Sequence, residues 1–238
     1  MAQPRTQEDM VALCDPQPDR HIPAVMPGTT PELVLFDLDG VLFDTLPVMR
    51  TAWEEVRVRH GIDVPFSSYA QLLGRPFADI MARLGVPHGE DVAETYERAS
   101  VRESHRARPF SGVEGALRDL MASGYRIGVV TSKPQTRVLP LLERLGCTFD
   151  VVRTPGRERG KPAPDTLLAA LVETGTDPAA VLYVGDMAVD QEAARRAGTG
   201  YVHAGWGYGR PAEPEPRVAH EPADLVRLLP ARVEGAGA

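Results

Sequence analysis

Short apolar segments alternate with helix-forming segments along most of the chain, and this alternation restricts the possible folds more than any other feature. Wholly or largely apolar runs at 33–36, 127–130, 181–184 and 200–203 have the length expected of buried strands. Between the later strands, apolar residues recur at helical spacing and glycines follow them as stops. Because strands joined through helices favour right-handed crossovers, we predict an α/β fold with a Rossmann-like, mostly parallel sheet.

One long segment interrupts this alternation. Between the first strand and Gly112 the pattern predicts no strand; it predicts helices at 47–60, 69–73, 77–84 and 90–106. Roughly 60 residues of helix is too long for a single crossover connection. We therefore predict an α-helical cap domain at 47–109, inserted into the catalytic core.

The rest of the chain is assigned by elimination. The core comprises 32–46 and 110–238, with a surface loop at 210–222 before a last short helix at 223–229. Residues 1–31 are rich in proline and polar side chains and are expected to form a flexible tail.

Charge and cysteine usage restrict the partners and the compartment. The net charge of -7 disfavours nucleic acid and anionic membranes as partners, but a local cation could still bind an anionic substrate. The two cysteines, Cys14 and Cys147, form no CxxC pair, which favours a reducing compartment. The sequence shows neither a signal peptide nor an apolar run of membrane-spanning length. We therefore expect a cytoplasmic protein without a membrane partner.

Carboxylates follow two of the predicted strands directly. Asp37 and Asp39 come after the first strand, and Asp186 and Asp190 come after the strand at 181–184. The carboxyl ends of parallel strands meet at one edge of the sheet, and Mg²⁺ prefers such oxygen ligands. Taken alone, Asp37 and Asp39 are also compatible with a solvated acidic turn before Gly40, and Asp190 with an acid in the first turn of a helix.

A hydroxyl pair and a lysine complete the set of candidate functional residues. Thr131 and Ser132 follow the strand at 127–130, where hydroxyls and free amides suit a phosphate group. An ordinary helix N-cap would use the same residues. Lys161 lies in the segment GKPAPD, whose prolines restrict the backbone, although an isolated lysine is usually only solvated.

Together these residues form four motifs in a fixed order: FDLDGVLFDT, VVTSK, GKPAPD and VGDMAVD. In this combination the chain resembles the haloacid-dehalogenase-like hydrolase superfamily over about 33–229. The segment Trp206–Gly209 resembles one found in the phosphoglycolate-phosphatase-like branch. The resemblance implies a magnesium-dependent phosphatase that hydrolyses a small phosphorylated metabolite through an aspartyl-phosphate intermediate.

The resemblance also implies roles for individual residues. Asp37 would be the nucleophile and Asp39 the general acid and base. Thr131 and Lys161 would hold the phosphoryl oxygens. The substrate would also contact Gly40, Ser132 and, from the cap, Arg75. Mg²⁺ would be held by Asp37, the carbonyl of Asp39 and Asp186, with Asp190 nearby.

Other functions on the same scaffold are less compatible with the sequence. A dehalogenase usually lacks the acid at Asp39, and a phosphonate hydrolase needs a cap lysine, whereas 47–109 contains none. A β-phosphoglucomutase typically has a histidine where this chain has Met49, so a phosphomutase is kept as an alternative. A non-enzymatic binding or regulatory protein is a further alternative, although such proteins usually lose a catalytic acid. The sequence indicates neither the particular metabolite nor the oligomeric state.

Overall fold

The computed structural model describes residues 31–87, 89–212 and 216–229, so the tail predicted at 1–31 lies almost entirely outside the described residues. Six strands form a parallel sheet in the order β5-β4-β1-β6-β7-β8. Their bounds are β1 Leu33–Phe36, β4 Arg126–Val130, β5 Val151–Arg153, β6 Val181–Gly185, β7 Gly200–Ala204 and β8 Arg217–Ala219. The predicted α/β class with a mostly parallel sheet is therefore confirmed.

Helices cover both faces of this sheet. They are α5 Val113–Ala122, α6 Gln135–Leu142, α7 Asp165–Thr174, α8 Ala188–Ala197 and α9 Asp224–Leu228. Side chains alternate along β1, so that Val34 and Phe36 pack with α5 and α6, whereas Leu33 and Leu35 pack with α7 and α8. Burial on both faces explains why the strand sequences are apolar at nearly every position.

Four helices form the insertion that follows β1. They are α1 Leu46–His60, α2 Phe66–Ala70, α3 Phe77–Arg83 and α4 Glu90–Arg102. They enclose a separate apolar cluster around Trp53, whose ring stacks on Tyr69 at 4.9 Å and whose Nε1 donates to the carbonyl of Val64. This separate core supports the predicted cap, whose limits at 47–109 stay a prediction.

A two-stranded ribbon lies at the base of this insertion. β2, Phe43–Asp44, precedes α1, and β3, Arg108–Pro109, follows α4; the two pair antiparallel. The expectation of no strand between β1 and Gly112 was therefore wrong. Two-residue strands are too short to show a periodic pattern, and their pairing depends on chain segments far apart in sequence.

The segment predicted as a surface loop at 210–222 also contains a strand. β8 pairs with β7, with Val202 opposite Arg217, and extends the sheet at its edge. Only three residues pair, and prolines surround them, so the sequence carries no strand signal. The prediction of a loop throughout this segment was wrong.

Helix α2 begins at Phe66 rather than Tyr69, because Pro65 occupies the N-cap position with an extended backbone.

Candidate active site

The residues singled out from the motifs converge at the carboxyl edge of the three central strands. Asp37 follows β1, Thr131 follows β4 and Asp186 follows β6, and these strands are neighbours in the order β4-β1-β6. Lys161 approaches from the loop before α7, and Asp190 lies in the first turn of α8. Parallel pairing therefore brings together side chains that are up to 153 positions apart in the sequence.

Three buried carboxylates form the centre of this edge. Asp37, Asp186 and Asp190 are each at most 2% exposed, and one oxygen from each lies within 4.8 Å of the others. Asp186 Oδ2 accepts a hydrogen bond from the backbone N–H of Tyr208 at 2.8 Å. Its other oxygen, Oδ1, is buried without a hydrogen-bond partner among the described residues. Such an oxygen is costly to bury unless a cation binds it.

Lys161 supplies one positive charge to this group. Its Nζ lies 2.9 Å from Asp37 Oδ1 and 2.8 Å from Asp190 Oδ1. Burial alone would lower the pKa of Lys161, but the two carboxylates outweigh it and raise that pKa. The second oxygen of Asp190 accepts the backbone N–H of Met187, so both of its oxygens are engaged. We infer that Asp190 mainly positions Lys161.

The charge balance of the cluster fits a divalent metal ion. Three carboxylates face one ammonium group, which leaves two negative charges if all are ionised. Burial raises the pKa of Asp37 to about 7, with Asp190 and Asp39 adding to the effect, and burial also raises the pKa of Asp186. An all-oxygen site with excess negative charge is the kind that Mg²⁺ prefers. Asp37 and Asp186 are therefore the residues best placed to hold it.

Asp39 has a different environment from these three acids. Its Oδ1 accepts a hydrogen bond from Thr45 Oγ1 at 2.6 Å and lies 3.1 Å from Lys133 Nζ. Lys133 is 6% exposed, and burial lowers the pKa of its ammonium despite the opposing effect of Asp39. Thr45 and Lys133 belong to the motifs recognised in the sequence, but sequence reasoning assigned neither a role. The proposed metal contact of Asp39 involves its carbonyl and stays a prediction.

A cavity of about 180 Å³ lies between this edge and the helical insertion. Asp37, Asp39 and Thr131 line it from the core. Tyr69, Phe77, Tyr96 and Arg75, among others, line it from the insertion. The cavity is thus polar where the carboxylates lie and largely apolar or aromatic on the opposite side.

The predicted substrate-binding residues lie at this cavity in different ways. Arg75 lines it, with one guanidinium N–H 3.2 Å from Asp79. Ser132 also lines it, but its hydroxyl donates to the carbonyl of Gly74 at 2.7 Å. Gly40 has a φ of +80°, and a Cβ there would collide with the Asp186 carboxylate. Close packing against Asp186 therefore explains why position 40 is a glycine. Contacts of Arg75, Ser132 and Gly40 with a substrate stay predictions.

Comparisons with known proteins agree with this geometry. The family model of the haloacid dehalogenase-like hydrolases matches residues 34–204. The N-acetylmuramic acid 6-phosphate phosphatase of Pseudomonas aeruginosa is 32% identical over 203 residues, which cover 81% of this chain and 88% of that protein. The phosphoglycolate phosphatase of Pseudomonas putida is 31% identical over 224 residues, covering 87% and 81%.

A solved hydrolase from Pseudomonas syringae shares the fold with a TM-score of 0.74 at 24% identity, covering 84% of this chain and 97% of that one. The chain belongs to the haloacid dehalogenase-like hydrolase family. The expected class of enzyme, a phosphomonoester hydrolase of this family, is confirmed by the family match and the two phosphatases. Within the described residues, no helix is long and apolar enough to cross a membrane.

Proposed function

We propose that the protein is a magnesium-dependent phosphatase that forms an aspartyl-phosphate on Asp37. The main support is the environment of this carboxylate. It is 2% exposed, paired with Lys161 at 2.9 Å, and opens onto the cavity that Asp39 and Thr131 also line. A carboxylate held in one orientation by a buried cation is suited to in-line attack on a phosphoryl group.

Two steps follow from this arrangement. An oxygen of Asp37 attacks phosphorus, the bond to the leaving oxygen breaks, and Asp39 gives that oxygen a proton. Water then attacks the phosphorus of the aspartyl-phosphate, Asp39 accepts its proton, and inorganic phosphate leaves as the carboxylate is regenerated. Asp39 is suited to both steps because Thr45 and Lys133 hold it apart from the three clustered acids.

Neighbouring residues stabilise the charge that spreads over the phosphoryl oxygens. Thr131 lines the cavity and Lys161 lies beside Asp37, so both would contact those oxygens. Asp37 and Asp186, with the carbonyl of Asp39, would hold Mg²⁺. Bound there, Mg²⁺ would neutralise negative charge on both the carboxylates and the phosphoryl group.

We propose a substrate of the phosphoglycolate or sugar-phosphate type, and among these we favour a phosphomonoester that also carries a carboxylate. The two curated relatives are named for phosphorylated acids. In this chain, Arg75 lines the cavity and could bind a carboxylate, and Tyr69 and Phe77 provide apolar surface for a small carbon skeleton. A cytoplasmic location and the absence of a nucleic-acid partner remain predictions from the sequence.

The test is phosphate release by Asp37→Asn. Against phosphoglycolate and N-acetylmuramic acid 6-phosphate, the variant should lose at least about 10³-fold in kcat, because an amide is a poor nucleophile. Asp63→Asn makes the same chemical change at a fully exposed carboxylate and should behave as the unaltered protein. Circular dichroism verifies that both variants are folded. Ordinary phosphate release by folded Asp37→Asn would refute the mechanism.

A further inference from the structure

A second cavity, of about 380 Å³, lies outside the active site. We call it the hinge groove and define it by Val101, His105, Arg108, Arg137, Leu141 and Arg144. It lies where the end of α4 and the turn after it meet β3 and α6. Arg137 is the residue that it shares with the active-site cavity. The proposed catalytic residues take no part in it.

The hinge groove is strongly cationic. Three guanidinium groups line it, and no Asp or Glu is among its lining residues. Arg137 is neutralised by Glu97 at 2.9 Å. Arg144 donates to the carbonyl of Ala107 at 2.7 Å and lies over the ring of Phe43, so it has no carboxylate partner among the described residues.

Arg108 increases this imbalance. Its side chain is exposed and forms no ion pair or hydrogen bond with any residue in the described part of the chain. Asp44 lies opposite it in the ribbon, but the Oδ1 of Asp44 is engaged by Tyr208 and by the N–H of Leu46. Two guanidinium groups thus line a concave surface without forming an ion pair among the described residues, in a chain of net charge -7. Such an arrangement is favourable when an anion binds between them.

We propose that the hinge groove binds a small anion that bears a phosphate or carboxylate group. Its volume falls in the range of small-molecule sites, and Leu141 and Val101 add apolar surface beside the guanidinium groups. The negative net charge of the chain argues against an extended nucleic acid there.

The position of the groove gives such binding a consequence. His105 follows α4 of the insertion, Arg144 follows α6 of the core, and Arg108 belongs to the ribbon that joins them. An anion that contacts Arg108 and Arg144 would therefore link the ribbon to the core beside α6. Arg144 also lies over Phe43, in the other strand of the ribbon. The site is thus suited to an effector that acts without entering the catalytic cavity.

Isothermal titration with sulfate, and separately with succinate, tests the proposal. The unaltered protein should bind one equivalent of anion in the hinge groove. Arg108→Gln/Arg144→Gln should lose that equivalent or bind it at least 10-fold more weakly, while any active-site binding is unchanged. A tighter equivalent for succinate than for sulfate would indicate an organic anion, and the reverse an inorganic one. Arg59→Gln/Arg118→Gln removes the same charge from two exposed positions outside the groove and should keep that equivalent.

Arg108→Gln alone keeps the test decisive if the double variant fails to fold, because the exposed Arg108 side chain forms no ion pair or hydrogen bond within the described residues and its backbone pairing in the ribbon is kept. It should weaken the same equivalent by about 10-fold. Identical titrations for the unaltered protein and for Arg108→Gln would overturn the proposal. So would equal losses in the groove variant and in Arg59→Gln/Arg118→Gln, because the effect would then reflect net charge alone.

Discussion

Tyr208 connects the candidate metal-binding acid Asp186 to the start of α1. Its backbone N–H donates to Asp186, and its hydroxyl accepts the N–H groups of Thr45 at 2.7 Å and Leu46 at 3.1 Å. The hydroxyl also donates to Asp44 at 2.9 Å. An N-cap threonine commonly accepts from the helix's own first N–H groups. Here the Thr45 hydroxyl makes no such bond and donates to Asp39, while the Tyr208 hydroxyl holds the backbone N–H groups of Thr45 and Leu46.

Tyr208→Phe should therefore lower kcat more than it changes KM. The variant keeps the ring and the backbone bond to Asp186 but removes the acceptor of the Thr45 and Leu46 N–H groups, so the backbone of Thr45 is held less firmly and its hydroxyl orients Asp39 less well. A loss of about 1–1.5 kcal/mol corresponds to roughly a 5- to 13-fold fall in kcat. Steady-state kinetics measure it.

Thr45→Val distinguishes this effect from a loss of helix stability. If Tyr208 acts through Thr45, the double variant should show little further fall in kcat beyond Thr45→Val. A lower melting temperature for Tyr208→Phe with an unchanged kcat would mean that the hydroxyl only stabilises α1.

The loop between α2 and α3 is the element through which the helical insertion reaches the catalytic edge. Gly74 adopts a φ of +84°, and its carbonyl accepts the Ser132 hydroxyl from the core. A Cβ on Gly74 would crowd Val189 and Met187. This close approach places Arg75 at the cavity, where it can contact the part of a substrate that differs between phosphomonoesters.

Arg75→Ala should reduce kcat/KM for a phosphorylated acid about 10- to 150-fold, the effect of losing one charge-assisted hydrogen bond. For p-nitrophenyl phosphate, which has no carboxylate, the loss should be small. Arg83→Ala is a matched control, because Arg83 pairs with the same Asp79 at 3.0 Å but does not line the cavity. Equal losses on both substrates would contradict a role for Arg75 in recognising the leaving group.

Elements with a periodic pattern could be predicted from the sequence, and very short ones could not. β1 has the predicted limits, and α1 begins one residue earlier than predicted, because buried strands and amphipathic helices repeat over several residues. The ribbon and β8 have two or three paired residues, and their existence depends on distant chain segments.

The same distinction applies to the site. Parallel strands bring Asp37, Thr131 and Asp186 to one edge, and this could be predicted from the strand order. The contact of Tyr208 with Thr45 joins positions 163 residues apart and depends on side-chain conformation, so the sequence contains no signal for it.

At the scale of the whole molecule, the three buried carboxylates reduce the stability of the fold when no cation is bound. Lys161 offsets one of the three negative charges on Asp37, Asp186 and Asp190. The remaining repulsion between the carboxylates acts in a site that is buried from solvent. A ligand that binds the folded chain more tightly than the unfolded one stabilises it by mass action. The free energy of unfolding should therefore depend on Mg²⁺ even without substrate.

We expect Mg²⁺ to raise the melting temperature of the substrate-free protein. At about 100 times its Kd the stabilisation is about 2.7 kcal/mol, or roughly 5–10 °C for a chain of this size. Asp186→Asn should melt at or above the metal-free protein when EDTA is present, because it removes one buried charge, and should respond little to Mg²⁺. Asp63→Asn, exposed and remote from the cluster, should respond as the unaltered protein does. Differential scanning calorimetry with Mg²⁺ and with EDTA measures all three proteins, and an undiminished Mg²⁺ response in Asp186→Asn would place the metal elsewhere.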